Sequence, residues 1–470
     1  MIKKCLSLAK LLSFFLVFVP SLSAQTITGN FIQLKNNEIR LEGFNGFNSY
    51  TISKIKIDEE GNFKLSYSPQ DYGVGYVISQ DEQVLSVILN GEDIELLGFG
   101  LLAFKNTSIA KSTENMLLER YTHENMLREQ ALSAWVYLEQ LYASTDFLSA
   151  VEKASDAIQI EKHRIKKEDV AFLAALPKDS YVSWFLPTLT LVNSVAAVAQ
   201  HRTHEIPATI AAFRALDYTG QRLYKSGLLK NAVEAHFWLL QNSGKSLDSV
   251  YVDMQLSIDA MLRDLMKDEK ILNEVSDYLF DLLERHRLFA ASEYLATKVL
   301  NQVSCTINSD LTNQLETYRA MKKGNTAPDI VFPDTLVYPS GDFRPKKLSD
   351  FTSNYTVVAF GASWCPSCTE ELAKIVSSYP QWKDQGVEVL FVSLDEELKA
   401  FYQFTSKFPF ISITDLKKWE SPIAQDYYVF GTPTMFLLDN NRKILLRPNS
   451  VKQMDAWVDL YLVKGNPLPQ

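Results

Sequence analysis

A chain of 470 residues exceeds what a single hydrophobic core organises; at about 100–200 residues per domain it calls for about three units. Apolar residues at 46% and charged residues at 22% exclude a largely disordered or fibrous chain. The formal charge of −9 disfavours nucleic acid as a partner, because such binding rests on clustered Lys and Arg releasing counterions from phosphates.

Residues 1–24 have the layout of a secretory signal. Lys3, Lys4 and Lys10 supply the positive end, Leu11 to Val19 the apolar stretch, and Pro20-Ser21-Leu22-Ser23-Ala24 a small-residue cleavage region, so Gln25 is expected to begin the mature chain. The apolar run is much shorter than the roughly 20 residues of a spanning helix, which argues against a retained anchor. Cys5 precedes the run, where a lipid-modified cysteine would not lie, so no lipid anchor is expected. Cleavage removes three lysines and no acids, taking the formal charge from −9 to −12. No further long apolar stretch is read, and a soluble protein of the periplasm or cell envelope is expected. The mature chain keeps Cys305, Cys365 and Cys368, too few and too unevenly placed for a disulfide-stapled scaffold.

Residues 25–107 read as an antiparallel, sandwich-like β domain. Ser49 to Ile57 and Phe63 to Tyr67 alternate in polarity around a Glu60-Gly61-Asn62 turn, and Val84 to Leu89 and Asp93 to Leu97 form a further hairpin about Asn90-Gly91. Residues 108–323 read as an all-α domain without internal repeats. Glu114 to Leu141 and Asp248 to Leu300 carry apolar residues at three and four spacing, and Pro177, Pro187 and Pro207 mark helix ends or starts. His201 and His204 have a spacing that puts both imidazoles on one helical face, read as solvated surface with no metal. Trp184, Phe185, Phe237 and Trp238 are read as packing residues.

Residues 324–470 follow a polar linker, Met321 to Thr326, and alternate strands with helices. Strands are expected at 355–360, 387–392, 434–438 and 444–447, and helices at 366–379, 396–408, 421–428 and 451–463. Strands linked by helical crossovers imply a central sheet flanked by helices.

Gly361-Ala362-Ser363-Trp364-Cys365-Pro366-Ser367-Cys368 falls between a β-branched strand and a helix. Cys365 is thereby placed at a helix N-terminus, where unpaired N–H groups and the helix dipole favour a thiolate. Pro366 suits the first turn, where its missing N–H is no loss. Cys368, one turn deeper, is positioned to resolve a mixed disulfide. Downstream, Gly431-Thr432-Pro433-Thr434 leads into an apolar strand, and a cis peptide at Pro433 is expected to present backbone beside the thiols.

With these residues in place, 324–469 resembles the TlpA-like and ResA-like branch of thioredoxin-fold proteins. The likeness rests on Ala327-Pro328-Asp329, Lys347-Leu348-Ser349-Asp350-Phe351, the Ala-Ser-Trp-Cys-Pro-Ser-Cys core and Gly-Thr-Pro-Thr. It implies a thiol–disulfide oxidoreductase with Cys365 attacking, Cys368 resolving and Pro433 as the cis-proline. The surface of Trp364, Pro366, Thr432 and Pro433 would hold the substrate backbone, and no organic cofactor is required. Protein thiols and disulfides, and a membrane electron carrier, are the implied partners. Domain order also resembles multidomain envelope proteins of that branch. Two positions depart: Ala359 stands where thioredoxin has a buried Asp, and Gly361 where it commonly has Trp. Glu371, matching an acidic position of the ResA-like proteins, is the candidate proton acceptor instead.

Other readings of the dithiol fit the residues less well. Structural zinc lacks a second ligand pair nearby, and a static disulfide leaves Trp364 and the Gly-Thr-Pro loop unexplained. A peroxidase of the peroxiredoxin type would need Thr where Ala362 stands. Cys305 reads as a spectator or an extra resolving thiol. The rival function is a cell-envelope adaptor that uses the thioredoxin fold as a docking platform.

Overall fold

The computed structural model describes residues 25–101, 107–144, 152–302, 315 and 319–467. The expected signal segment and Cys305 lie outside the described residues. The described chain comprises an N-terminal β region, a central helical region and a C-terminal α/β region, in that order.

The β region holds β1 (Gln25–Asn30), β2 (Glu38–Asn45), β3 (Asn48–Lys56), β4 (Asn62–Tyr67), β5 (Gly73–Ser79), β6 (Val84–Leu89), β7 (Ile94–Gly98) and β8 (Thr107–Lys111). They form two four-stranded sheets of order β4-β1-β7-β8 and β3-β2-β5-β6. All ladders are antiparallel except β1 with β7, which is parallel. Alternation sets the faces: Phe63, Leu65 and Tyr67 of β4 are buried and their neighbours exposed, and they join Ile27, Leu41, Val87 and Leu96 in one core.

Both expected hairpins are corrected by this topology. β3 pairs with β2 while β4 pairs with β1, and β6 pairs with β5 while β7 pairs with β1 and β8. The Gly61 and Gly91 turns therefore cross from one sheet to the other. Each glycine supplies a left-handed backbone, at φ 87° and 96°, which a sharp reversal needs whether or not the flanking strands pair. The region also runs on to Lys111, past the expected boundary at 107.

The helices are α1 (Thr113–Ser144), α2 (Glu152–Ala174), α3 (Tyr181–His201), α4 (Ile206–Arg214), α5 (Gln221–Tyr224), α6 (Leu229–Gln241), α7 (Leu247–Leu265), α8 (Glu269–Arg285) and α9 (Phe289–Gln302). In α8 the three and four spacing buries Ile271, Val275, Leu279, Leu282 and Leu283, and Asp268 caps the start by accepting from Ile271 N at 3.1 Å.

Three readings of this region change. Pro187 lies inside α3, not at an end; buried Val182, Phe185 and Leu186 hold the helix through the missing N–H. By length and composition α3 is also apolar enough to cross a membrane, against the expectation of no further long apolar stretch, and Val192 and Val198 are buried in protein as well. The third concerns the histidines: α3 ends at His201, and His204 sits in the following 3-10 turn Thr203–Glu205, so the two imidazoles do not share a helical face.

Contacts group the chain into two units. One ends at Thr190 and takes in Gln221–Leu228; the other comprises Leu191–Gly220 and everything from Leu229 onward. The helical region is thus divided between them, and helices α6 to α9 share a unit with the C-terminal α/β region.

That region has a six-stranded sheet of order β14-β13-β10-β11-β12-β9. Its strands are β9 (Leu336–Val337), β10 (Tyr355–Gly361), β11 (Val387–Ser393), β12 (Ile411–Thr414), β13 (Thr434–Asp439) and β14 (Ile444–Leu446), with helices α10 (Pro366–Asp384), α11 (Leu398–Thr405), α12 (Pro422–Asp426) and α13 (Val451–Trp457). β10 to β12 run parallel; β13 is antiparallel to β10. β10 is central and almost wholly buried, which is why it reads as an unbroken apolar run. Leu372, Ile375, Tyr379 and Trp382 of α10 pack on the sheet, and Trp382 Nε1 donates to Asp455 Oδ1 at 2.8 Å, tying α10 to α13.

Candidate functional site

Strand β10 delivers the chain to the mouth of α10, and Cys365 is that helix's N-cap, with extended backbone at φ −97° and ψ 111°. Its Sγ accepts from Cys368 N at 3.3 Å, so the sulfur takes up one of the N–H groups a helix start leaves unpaired. Pro366 occupies the first turn and is exposed with Ser367. Both cysteines are free thiols; Cys365 is 8% exposed and Cys368 fully buried.

The loop before β13 closes the other side. The Thr432–Pro433 peptide is cis, and the Cys365 thiol donates to the Thr432 carbonyl at 3.5 Å. Pro433 is buried and Thr432 half-buried, so the structure brings Cys365, Cys368, Thr432 and Pro433 to one place.

The two thiols differ in acidity because their surroundings differ. Burial pushes Cys365 up, but hydrogen bonding by Cys368 and Thr432 outweighs it, and the net displacement is below the ordinary thiol value. Cys368 is pushed up to about 12, first by burial and then by its hydrogen bond with Cys365. Cys365 is therefore the more acidic of the two thiols, and Cys368 the one that holds its proton more tightly.

A group the sequence did not reveal holds the approach to the dithiol. Asp395, just past β11 and 1% exposed, accepts from Ser363 N at 3.1 Å and Ser363 Oγ at 2.6 Å, and from Ser393 Oγ at 2.7 Å. It fixes the turn Ala362 to Trp364 against the sheet. The signal was weak, because an Asp after a strand is an ordinary turn residue.

Trp364 is 46% exposed and meets Trp419 edge-on with ring centroids 6.1 Å apart, while Lys418 Nζ lies 5.5 Å from the Trp364 centroid. Glu371 accepts from Val451 N at 2.7 Å, the first residue of α13, and pairs with Lys374 at 2.8 Å. Burial pushes its carboxyl up, but Lys374 and the Val451 N–H hold it below the usual carboxylate range. At Gly361 a Cβ would stand 3.0 Å from Phe391 and 3.3 Å from Leu372, so these two side chains fill the space a larger residue would need. Ala359 is buried in the same core. Among the described residues no cluster of three or more His, Cys, Asp or Glu is arranged to hold a metal.

A model of the AhpC/TSA family matches residues 323–447. The thiol-disulfide oxidoreductase ResA of Geobacillus kaustophilus (strain HTA426) is 29% identical over 133 residues, which are 28% of this chain and 72% of the relative. Among solved structures, a thioredoxin-like protein from Bacteroides caccae shares 16% identity over 55% of this chain and 93% of its own, with a TM-score of 0.39. A putative thiol:disulfide interchange protein DsbE from Chlorobium tepidum shares 30% over 30% and 98%, with a TM-score of 0.25.

The fold and the matches define a thioredoxin-like thiol–disulfide oxidoreductase. Within that class, the C-terminal region is a ResA/TlpA-like thioredoxin-fold domain.

Proposed function

We propose that this chain acts outside the cytoplasm, in the periplasm or cell envelope, exchanging disulfides with protein cysteines through Cys365 and Cys368. The Cys365 thiolate attacks one sulfur of a substrate disulfide; the S–S bond breaks, a mixed disulfide forms and the other substrate sulfur leaves as a thiolate. Cys368 then gives up its proton and attacks the Cys365 sulfur, releasing the second substrate thiol and leaving the Cys365–Cys368 disulfide, a two-electron exchange. The same steps run backwards when the oxidised pair takes electrons from substrate thiols. A membrane electron carrier is the proposed partner for resetting the pair, and no organic cofactor takes part.

The observation that carries this reading is the sulfur of Cys365 at the start of α10, accepting Cys368 N while its partner sulfur is buried and weakly acidic. The exposed Trp364 and Pro366, with Thr432 and Pro433, supply an apolar rim and a half-buried backbone segment for a peptide to lie against. The positive end, apolar run and small-residue site of residues 1–24 support secretion. Cys368→Ala is expected to accumulate mixed disulfides with client proteins, and Cys365→Ala to abolish both trapping and insulin reduction. Full biological activity in Cys365→Ala would establish the adaptor reading instead.

A further inference from the structure

Two turns, each carrying an exposed tryptophan, meet beside Cys365, and consecutive carboxylates just past β11 hold both. Asp395 accepts from Ser363 N and Oγ, immediately before Trp364, and Glu396 accepts from Lys418 Nζ at 2.9 Å, immediately before Trp419. The two indoles meet edge-on with their planes at 65° and remain 46% and 38% exposed. All of these residues lie in one unit of the molecule.

The segment that carries Trp419 is held against its own backbone preference. Between β12 and α12, Leu416 and Lys418 both lie in the left-handed region, at φ 59° and 51°, which is costly for residues with bulky side chains. Asp415 fixes the segment by accepting from Lys417 N at 3.2 Å and from Ser421 Oγ at 2.7 Å, and a 3-10 turn, Lys418–Glu420, sets Trp419 at the surface. Keeping a large apolar side chain partly in water on a strained, pinned turn points to a partner for that side chain. The charges around it cancel: Lys418 is paired with Glu396, and exposed Lys417 and Glu420 have opposite signs. What the surface offers is apolar area continuous with the residue that precedes the attacking sulfur.

We propose that Trp419 is a specificity-determining residue for the exchange, taking with Trp364 a large apolar side chain that flanks the client's cysteine. This rests on the reading of Cys365 as the attacking sulfur and adds a substrate class to it: extended segments in which an aromatic or large aliphatic residue neighbours the cysteine. Tryptophan suits the task because its rigid, wide ring supplies much contact area for little lost freedom, and such anchors dominate recognition.

The test uses the reduced full chain and the symmetrical disulfides of two short peptides that differ only in whether Phe or Ala flanks the cysteine. The second-order rate constant for reduction of each is measured by acid quench and separation of the released peptide. The ratio of the two constants is then compared among wild type, Trp419→Phe and Trp419→Ala. Because both peptides meet the same preparation, the ratio is independent of the folded fraction. Wild type is expected to favour the Phe peptide by about tenfold, Trp419→Phe to keep most of that preference, and Trp419→Ala to reduce it to about twofold. Equal rates for the two peptides in wild type, or the same ratio in wild type and Trp419→Ala, would overturn the proposal. A wild type that reduces neither peptide would instead defeat the enzymatic reading beneath it.

Discussion

The division of labour between the two cysteines follows from one sulfur capping a helix and the other lying one turn inside it. The capping sulfur receives an N–H and is held below the ordinary thiol value, whereas Cys368 is pushed up to about 12 by burial. Linkage gives this a sign. Cys368 keeps its proton in the folded state after an unfolded thiol, with a pKa of about 8.5, has lost it, so its contribution to stability is complete below that value and fades as pH rises toward about 12. Cys365 contributes in the opposite sense, present above the unfolded value and lost as pH falls through its lowered folded value. The reduced protein is therefore expected to lose denaturant stability between about pH 9 and pH 11 more steeply than Cys368→Ser. Chemical unfolding in excess reductant at a series of pH values measures both slopes, and parallel curves would show that Cys368 is not held protonated by the fold.

At the scale of single elements, α13 shows how the site borrows its rigidity. Its N-terminus is satisfied twice, by Ser450 accepting from Gln453 N at 3.3 Å and by Glu371 accepting from Val451 N at 2.7 Å, and the second bond ties α13 to α10. A carboxylate so engaged and held below its usual range is better suited to capping than to taking a proton from Cys368. Glu371→Gln is accordingly expected to cost about 1 kcal/mol of stability while changing the resolution rate of a mixed disulfide less than about threefold. A collapse of resolution at constant stability would make Glu371 the proton acceptor. The same scale explains what the sequence disclosed. Cys365, Pro366, Cys368 and the strand before them are consecutive, so local rules place them, and Thr432-Pro433 carries its own signal in the proline. Asp395 acts across 32 residues on Ser363, and nothing in its own neighbourhood marks that partnership. The β-region turns were legible as turns, but Gly61 and Gly91 serve a crossing between sheets as well as a hairpin, and only the tertiary pairing of β4 with β1 and of β6 with β5 decides between them.

For the molecule as a whole, the consequential feature is that helices α6 to α9 share a compact unit with the thioredoxin-like domain, so the grouping of the chain in space does not follow its order of textures. The joint is built on charge. Glu284 is 3% exposed and meets Arg447 at 2.7 Å, with Ser292 Oγ as a further donor, and the Arg447 guanidinium lies 3.7 Å over the Phe289 ring. Burying two charges is costly, and their attraction with the added hydrogen bond roughly offsets that cost, so the pair gives fixed alignment more than net stability. Removing one partner leaves the other charge buried and uncompensated. Glu284→Ala and Arg447→Ala are each expected to destabilise by about 3–5 kcal/mol, and Glu284→Ala/Arg447→Ala by much less than their sum. A double-mutant cycle by chemical unfolding measures the coupling. Additive single-mutant losses would mean that the two charges do not act as a coupled pair.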